Sequence, residues 1–154
     1  MMRCCLIFAV FLHASICFSQ DAGTSRVTFS FVDSLSKEPT AVRVKLTRSG
    51  YAVKTLPVNS ASVMYGVMDH ADGFGFQPDS SFYVFGGFTL YLPEGEYSMT
   101  VSKGIEYIDQ HHLLIITSQP KHDFVYKMQR WTDMPSRGWY SADGHIHIRR
   151  SPAE

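Results

Sequence analysis

Three side chains near the end of the sequence have the types and spacing of a metal site: Asp143, His145 and His147, within the stretch GWYSADGHIH at residues 138–147. On a strand alternate side chains share a face, so these three point one way while Gly144, Ile146 and Ile148 point the other. The two imidazoles then stand about 7 Å apart at the backbone, close enough to reach one metal ion or two adjacent ions. Asp143 lies further back on the same face, where a carboxylate can accept a hydrogen bond from a ligand imidazole and fix its tautomer. Two histidines do not complete a ligand set, and such pairs also arise on surfaces by chance. No residue stands out as a catalytic acid, base or nucleophile.

The elements that must hold this stretch are read from period-two alternation. In RVTFSFVDS, Val27, Phe29 and Phe31 alternate with Thr28, Ser30 and Val32; in AVRVKLTR, Val42, Val44 and Leu46 alternate with Arg43, Lys45 and Thr47. Each is the pattern of a half-buried strand. FYVF, FTLYL, YSMTVS, HHLLII and DFVYKM are further short runs rich in aromatic and β-branched residues. Gly86-Gly87, Pro93 with Gly95, Gly104 and Pro120 separate them, and these are turn residues. Short, closely spaced strands without an amphipathic helix predict a mainly β domain over 25–130, an antiparallel β-sandwich. Residues 57–81 read as one strand at 62–67 with loops around it, or as irregular throughout. Asp69, His70 and Asp72 fall there, in a Gly/Asp-rich loop whose spacing matches no ligand pattern. Pro135, Ser136 and Gly138 punctuate a linker at 131–138, and Trp131 and Trp139 are expected to pack in the core or at an interface. His111, His112 and His122 are read as structural.

The front of the chain bears on location. Met1-Met2-Arg3, an apolar run CCLIFAVFL and the small residues of CFS before Gln20 describe a secretory signal peptide at 1–19. A spanning helix needs about 20 apolar residues, and His13, Ser15, Ser19 and Asp21 interrupt the run, so no membrane span is expected after cleavage. The expected location is secreted or periplasmic. Cys4, Cys5 and Cys17 all fall in the leader, which leaves disulfides and thiolate zinc sites without ligands and limits any metal to histidine, carboxylate or water. The 14 basic and 14 acidic residues balance, and removal of Arg3 leaves a charge near −1, which does not favour a nucleic-acid partner.

Two resemblances follow from particular residues. FTLYLPEGEYSMTVSKGIEY, with its Leu-Pro-x-Gly-x-Tyr turn between strands, resembles the carboxypeptidase-regulatory-like, transthyretin-like sandwich modules. GWYSADGHIH resembles the first barrel strand of carbaryl-hydrolase-like metallohydrolases of the polymerase-and-histidinol-phosphatase (PHP) superfamily, whose signature runs Gly-Trp-Tyr-Ser-x-Asp-x-His-x-His. In that family such a sandwich commonly precedes the barrel, and the two occur here in that order. The resemblance implies a PHP-like domain beginning at 139–154, with His145 and His147 as ligands of a divalent metal (zinc, manganese or iron). It also implies metal-activated water attacking an ester, amide or phosphoester in a small-molecule or phosphoester substrate. Asp-Gly-His-Ile-His alone also suits the first strand of an amidohydrolase, but that class usually enters its barrel through an apolar strand and Pro-Gly. A metal-dependent barrel takes further ligands from later strands, and seven residues follow His147. The expectation is therefore an N-terminal portion of a secreted hydrolase, inactive as this fragment, with its tail beyond about 138 loosely ordered. The alternative is a secreted sandwich that binds or supports and has no activity.

Overall fold

Alternation of side chains along eight strands decides which of them meet in the interior. The structure is a computed structural model that describes residues 23–63 and 74–140. Its strands are β1 (Thr24–Asp33), β2 (Ala41–Arg48), β3 (Tyr51–Ala52), β4 (Phe82–Phe85), β5 (Gly87–Pro93), β6 (Gly95–Ser102), β7 (Gln110–Ile116) and β8 (Lys121–Met128). One sheet has the order β5-β1-β8; the other runs β3-β2-β6-β7, with β4 also paired to β2. Val27, Phe29 and Phe31 of β1 and Val42, Val44 and Leu46 of β2 are all buried, as their alternation predicts. They join Phe88, Leu90, Leu92, Tyr97, Met99, Val101 and Met128 in one core cluster fed by both sheets, an arrangement consistent with a β-sandwich. No α-helix occurs among the described residues, so no helix there is long and apolar enough to cross a membrane.

Aromatic contacts set the centre of this core. Phe29 stacks on Phe88 at 4.6 Å and on Phe124 at 5.7 Å, and Phe82 meets Phe88 edge-on at 5.2 Å. The sheet demands a glycine beside them: a Cβ on Gly87 stands 2.3 Å from the Phe29 carbonyl oxygen, closer than any side chain tolerates.

The Leu-Pro-x-Gly-x-Tyr turn has a physical account. Gly95 takes a positive φ of 145° where the chain passes from β5 of one sheet to β6 of the other, and Tyr97 is buried on β6 with its hydroxyl donating to the Pro93 carbonyl at 2.8 Å. Burial raises the Tyr97 pKa, which keeps the phenol protonated as a donor. Tyr97→Phe is expected to cost about 1 kcal/mol, the usual net value of one hydrogen bond, measured by urea unfolding; a change within error would show that water replaces the lost donor.

Two features differ from the sequence expectation. β1 pairs antiparallel with β5 but parallel with β8, from Arg26 opposite Lys121 to Asp33 opposite Met128. The loop after β7 carries the chain from one sheet to the other, so β8 arrives beside β1 running the same way; strand alternation has no information about such a partner. The short β3 pairs only with Thr47 and Arg48 of β2 and has no periodic signature. In the 57–81 region the described residues make isolated bridges, Ala61 to Tyr83 and Val63 to Phe74. Residues 64–73, with Asp69, His70 and Asp72, lie outside the described residues.

Candidate functional site

The densest polar cluster lies where the chain leaves the sheets, and three loops build it. Asp33 ends β1, Tyr107 lies in the loop between β6 and β7, and Arg130 follows β8. The Tyr107 hydroxyl donates to Asp33 Oδ2 at 2.6 Å, and Asp33 Oδ1 accepts the amides of Leu35 at 2.9 Å and Ser36 at 3.2 Å. Arg130 lies over the Tyr107 ring at 4.6 Å and reaches Glu106 at 2.5 Å, Asp133 at 3.6 Å and Asp33 at 3.9 Å. Lys103 also lies over that ring, at 4.5 Å, and donates to Thr40 Oγ1.

Electrostatics decides what this cluster can do. The Tyr107 hydrogen bond, followed by the two amides and the charge of Lys103, holds the Asp33 carboxyl down at about 2 against the cost of its burial. Burial first, and then the bond to Asp33, pushes Tyr107 up to about 12. Burial lowers the Lys103 pKa, partly offset by Asp33. Asp33 and Tyr107 therefore keep their protonation states across the physiological range and neither acts as a proton shuttle. The arrangement pins three loops to one another, and its role is positional.

What it positions is the exit of the chain. The Trp131 amide donates to the Glu106 carbonyl at 3.0 Å and its indole Nε1 to the Ile105 carbonyl at 2.7 Å, so the segment after β8 is fastened to the β6–β7 loop. A 3-10 turn at Pro135–Arg137 follows, closed by Gly138 in the left-handed region at φ 79°. The Trp139 amide then donates to the Met134 carbonyl at 3.0 Å. Between loop and exit lies an apolar cleft of about 340 Å³, walled by Ile105, Trp131, Met134, Trp139 and Tyr140. Trp131 and Trp139 are each 67% exposed, so the core does not take them; they stand as open walls of the cleft.

Asp143, His145 and His147, read from the sequence as a carboxylate that orients a ligand imidazole and two metal ligands, lie outside the described residues, as does the signal peptide expected at 1–19. Among the described residues no group of three or more His, Cys, Asp or Glu could hold a metal ion. The other histidines there have ordinary packing partners. His112 lies against Tyr126 at 4.3 Å between ring centroids and donates from Nε2 to Gln110 Oε1 at 3.0 Å, while burial lowers its pKa. His122 stacks on Phe124 and donates to the Thr117 carbonyl at 3.3 Å; His111 Nδ1 lies 3.1 Å from Thr100 Oγ1. The Asp33–Tyr107–Arg130 cluster and the cleft went unnoticed in the sequence, because their members are 74 and 23 residues apart in pairs and share no motif. No family model matches the chain, and no curated protein or solved structure matches it.

Proposed function

We propose that the chain is the N-terminal portion of a secreted metal-dependent hydrolase, its sheets followed by the opening strand of a PHP-like catalytic domain. One observation carries this reading: the sequence GWYSADGHIH begins at Gly138, where the chain has just been fastened by Trp131 and the 3-10 turn and leaves the sheets. His145 and His147 are the proposed ligands of a divalent metal, zinc, manganese or iron, and Asp143 the group that orients one of them. When bound, such a metal supplies an activated water for ester, amide or phosphoester hydrolysis. The second reading, a sandwich that binds a partner without catalysis, is favoured by the open aromatic cleft beside the exit.

Zinc titration separates the two. Complete four-ligand sites contribute about 10–16 kcal/mol, so two histidines supply well under half and give a dissociation constant of roughly micromolar to millimolar. Both imidazoles must be neutral to bind, so affinity falls as pH drops below about 6.5. The His145→Ala/His147→Ala double variant is expected to lose at least about tenfold in affinity, or 1.4 kcal/mol. Calorimetry that finds equal zinc binding in parent and double variant removes the metal reading.

A further inference from the structure

We infer that the cleft walled by Ile105, Trp131, Met134, Trp139 and Tyr140 is the seat of the chain's own next segment, with Ile146 and Ile148 as the side chains that cover it. The inference goes beyond the hydrolase reading and does not require a metal.

The cleft is preformed and uncovered by anything in residues 23–63 and 74–140. Its indole at Trp131 is fixed by the bond to the Ile105 carbonyl, and its far wall by the bond from the Trp139 amide to Met134. Ile105 is 86% exposed and Tyr140 79%, beside the two exposed indoles. A contiguous apolar surface of this kind is costly to leave in water and marks a docking site. Its volume is at the small end of the range for specific pockets.

Its occupant follows from chain continuity and alternation. Tyr140 is itself a wall, and six residues span at most ~20 Å, so Ile146 is within reach of every wall. Ile146 and Ile148 alternate with His145 and His147. A strand there buries one face and presents the other: the isoleucines meet the cleft and the imidazoles stay outward, free to take a metal.

The chain's two tryptophans are both in this cleft, so intrinsic tryptophan fluorescence reads it without labels. In EDTA, the intact chain is expected to show blue-shifted emission and an acrylamide quenching constant about two-fold lower than that of Ile146→Ser/Ile148→Ser, since covering a ring removes its solvent-facing side. Ile105→Ser, made from the opposite side of the contact, is expected to give the same rise in quenching. The core cluster of the sheets is formed by residues between Val27 and Met128, so the unfolding midpoint of the double variant is the check that the sheets remain folded. Equal, fully exposed emission in the intact chain and the double variant overturns the inference. So does protection that depends on protein concentration, which assigns the cleft to a second copy. Zinc titration of the same Ile146→Ser/Ile148→Ser variant keeps the two readings apart: lost tryptophan protection with retained zinc binding sinks neither metal ligand, whereas lost zinc binding in the histidine variant leaves this contact standing.

Discussion

Phe29→Ala is expected to lower the unfolding free energy by about 3–5 kcal/mol, the cost of emptying a large aromatic site that its surroundings cannot refill. Phe29 has no exposed surface and touches rings from two neighbouring strands, Phe88 on β5 and Phe124 on β8. Collapse is blocked on the backbone side as well, because Gly87 already lies against the Phe29 carbonyl. Since a domain of this size is stable by about 5–15 kcal/mol in all, the variant should be marginal or unfolded at 37 °C. Urea unfolding followed by far-ultraviolet circular dichroism reads the loss. Tyr91→Ala, on an exposed position of β5, should change stability by no more than about 0.5 kcal/mol. A loss under about 1 kcal/mol at Phe29 would contradict the view that the β5-β1-β8 sheet and its aromatic stack organise the core.

Most of the sheet content was legible because burial on one face imposes a period of two, and that period survives in single residues. Val27, Phe29 and Phe31, or Val42, Val44 and Leu46, announce their strands without any knowledge of partners. The turn at Pro93–Gly95 was legible for a similar reason: proline and glycine restrict the backbone locally. Partner choice is not local. Nothing in DFVYKM says that β8 will lie parallel to β1, and nothing in Asp33, Tyr107 and Arg130 says that three loops will bring them together. Trp131 illustrates the limit. The sequence allowed it the core or an interface, and the bond from its indole to the Ile105 carbonyl holds the ring at the surface as a wall of the cleft. The metal-ligand pattern at Asp143, His145 and His147 was the reverse case, a motif readable in sequence whose positions lie beyond the described residues.

Asp33→Asn is expected to remove about 2 kcal/mol of stability at neutral pH, and with it much of the chain's sensitivity to acid. The carboxyl is held at about 2 in the folded protein, against an ordinary value near 3.8, by the Tyr107 hydroxyl and the Leu35 and Ser36 amides. A depressed folded pKa means that ionised Asp33 favours the folded state. Its contribution is complete above about pH 5, shrinks as pH falls through 4, and is gone below about 2; a displacement of this size corresponds to about 2 kcal/mol. The conversion is warranted here because Asp33 is only 9% exposed. Asp79 has a lowered pKa too, chiefly through Ser81, and also loses its contribution in acid, so the informative quantity is the difference between parent and variant across pH 2–7. Asparagine keeps an oxygen for the two amides but turns an NH2 group toward the Tyr107 hydroxyl, so the variant removes the charge together with the acceptor of that hydrogen bond. Tyr107→Phe should act through the same carboxyl, raising its pKa and moving the acid loss to higher pH, with the Asp33 carboxyl resonance followed by NMR as the direct readout. Parallel pH profiles for parent and Asp33→Asn would show that Asp33 titrates normally and that the loops around Arg130 are held by packing alone. If the profiles converge at low pH, the loops at 103–109 and 129–134 share one ionised anchor. Acid should then loosen the wall at Ile105 and Trp131 together, because both are fastened through the segment that Asp33, Tyr107 and Arg130 hold in place.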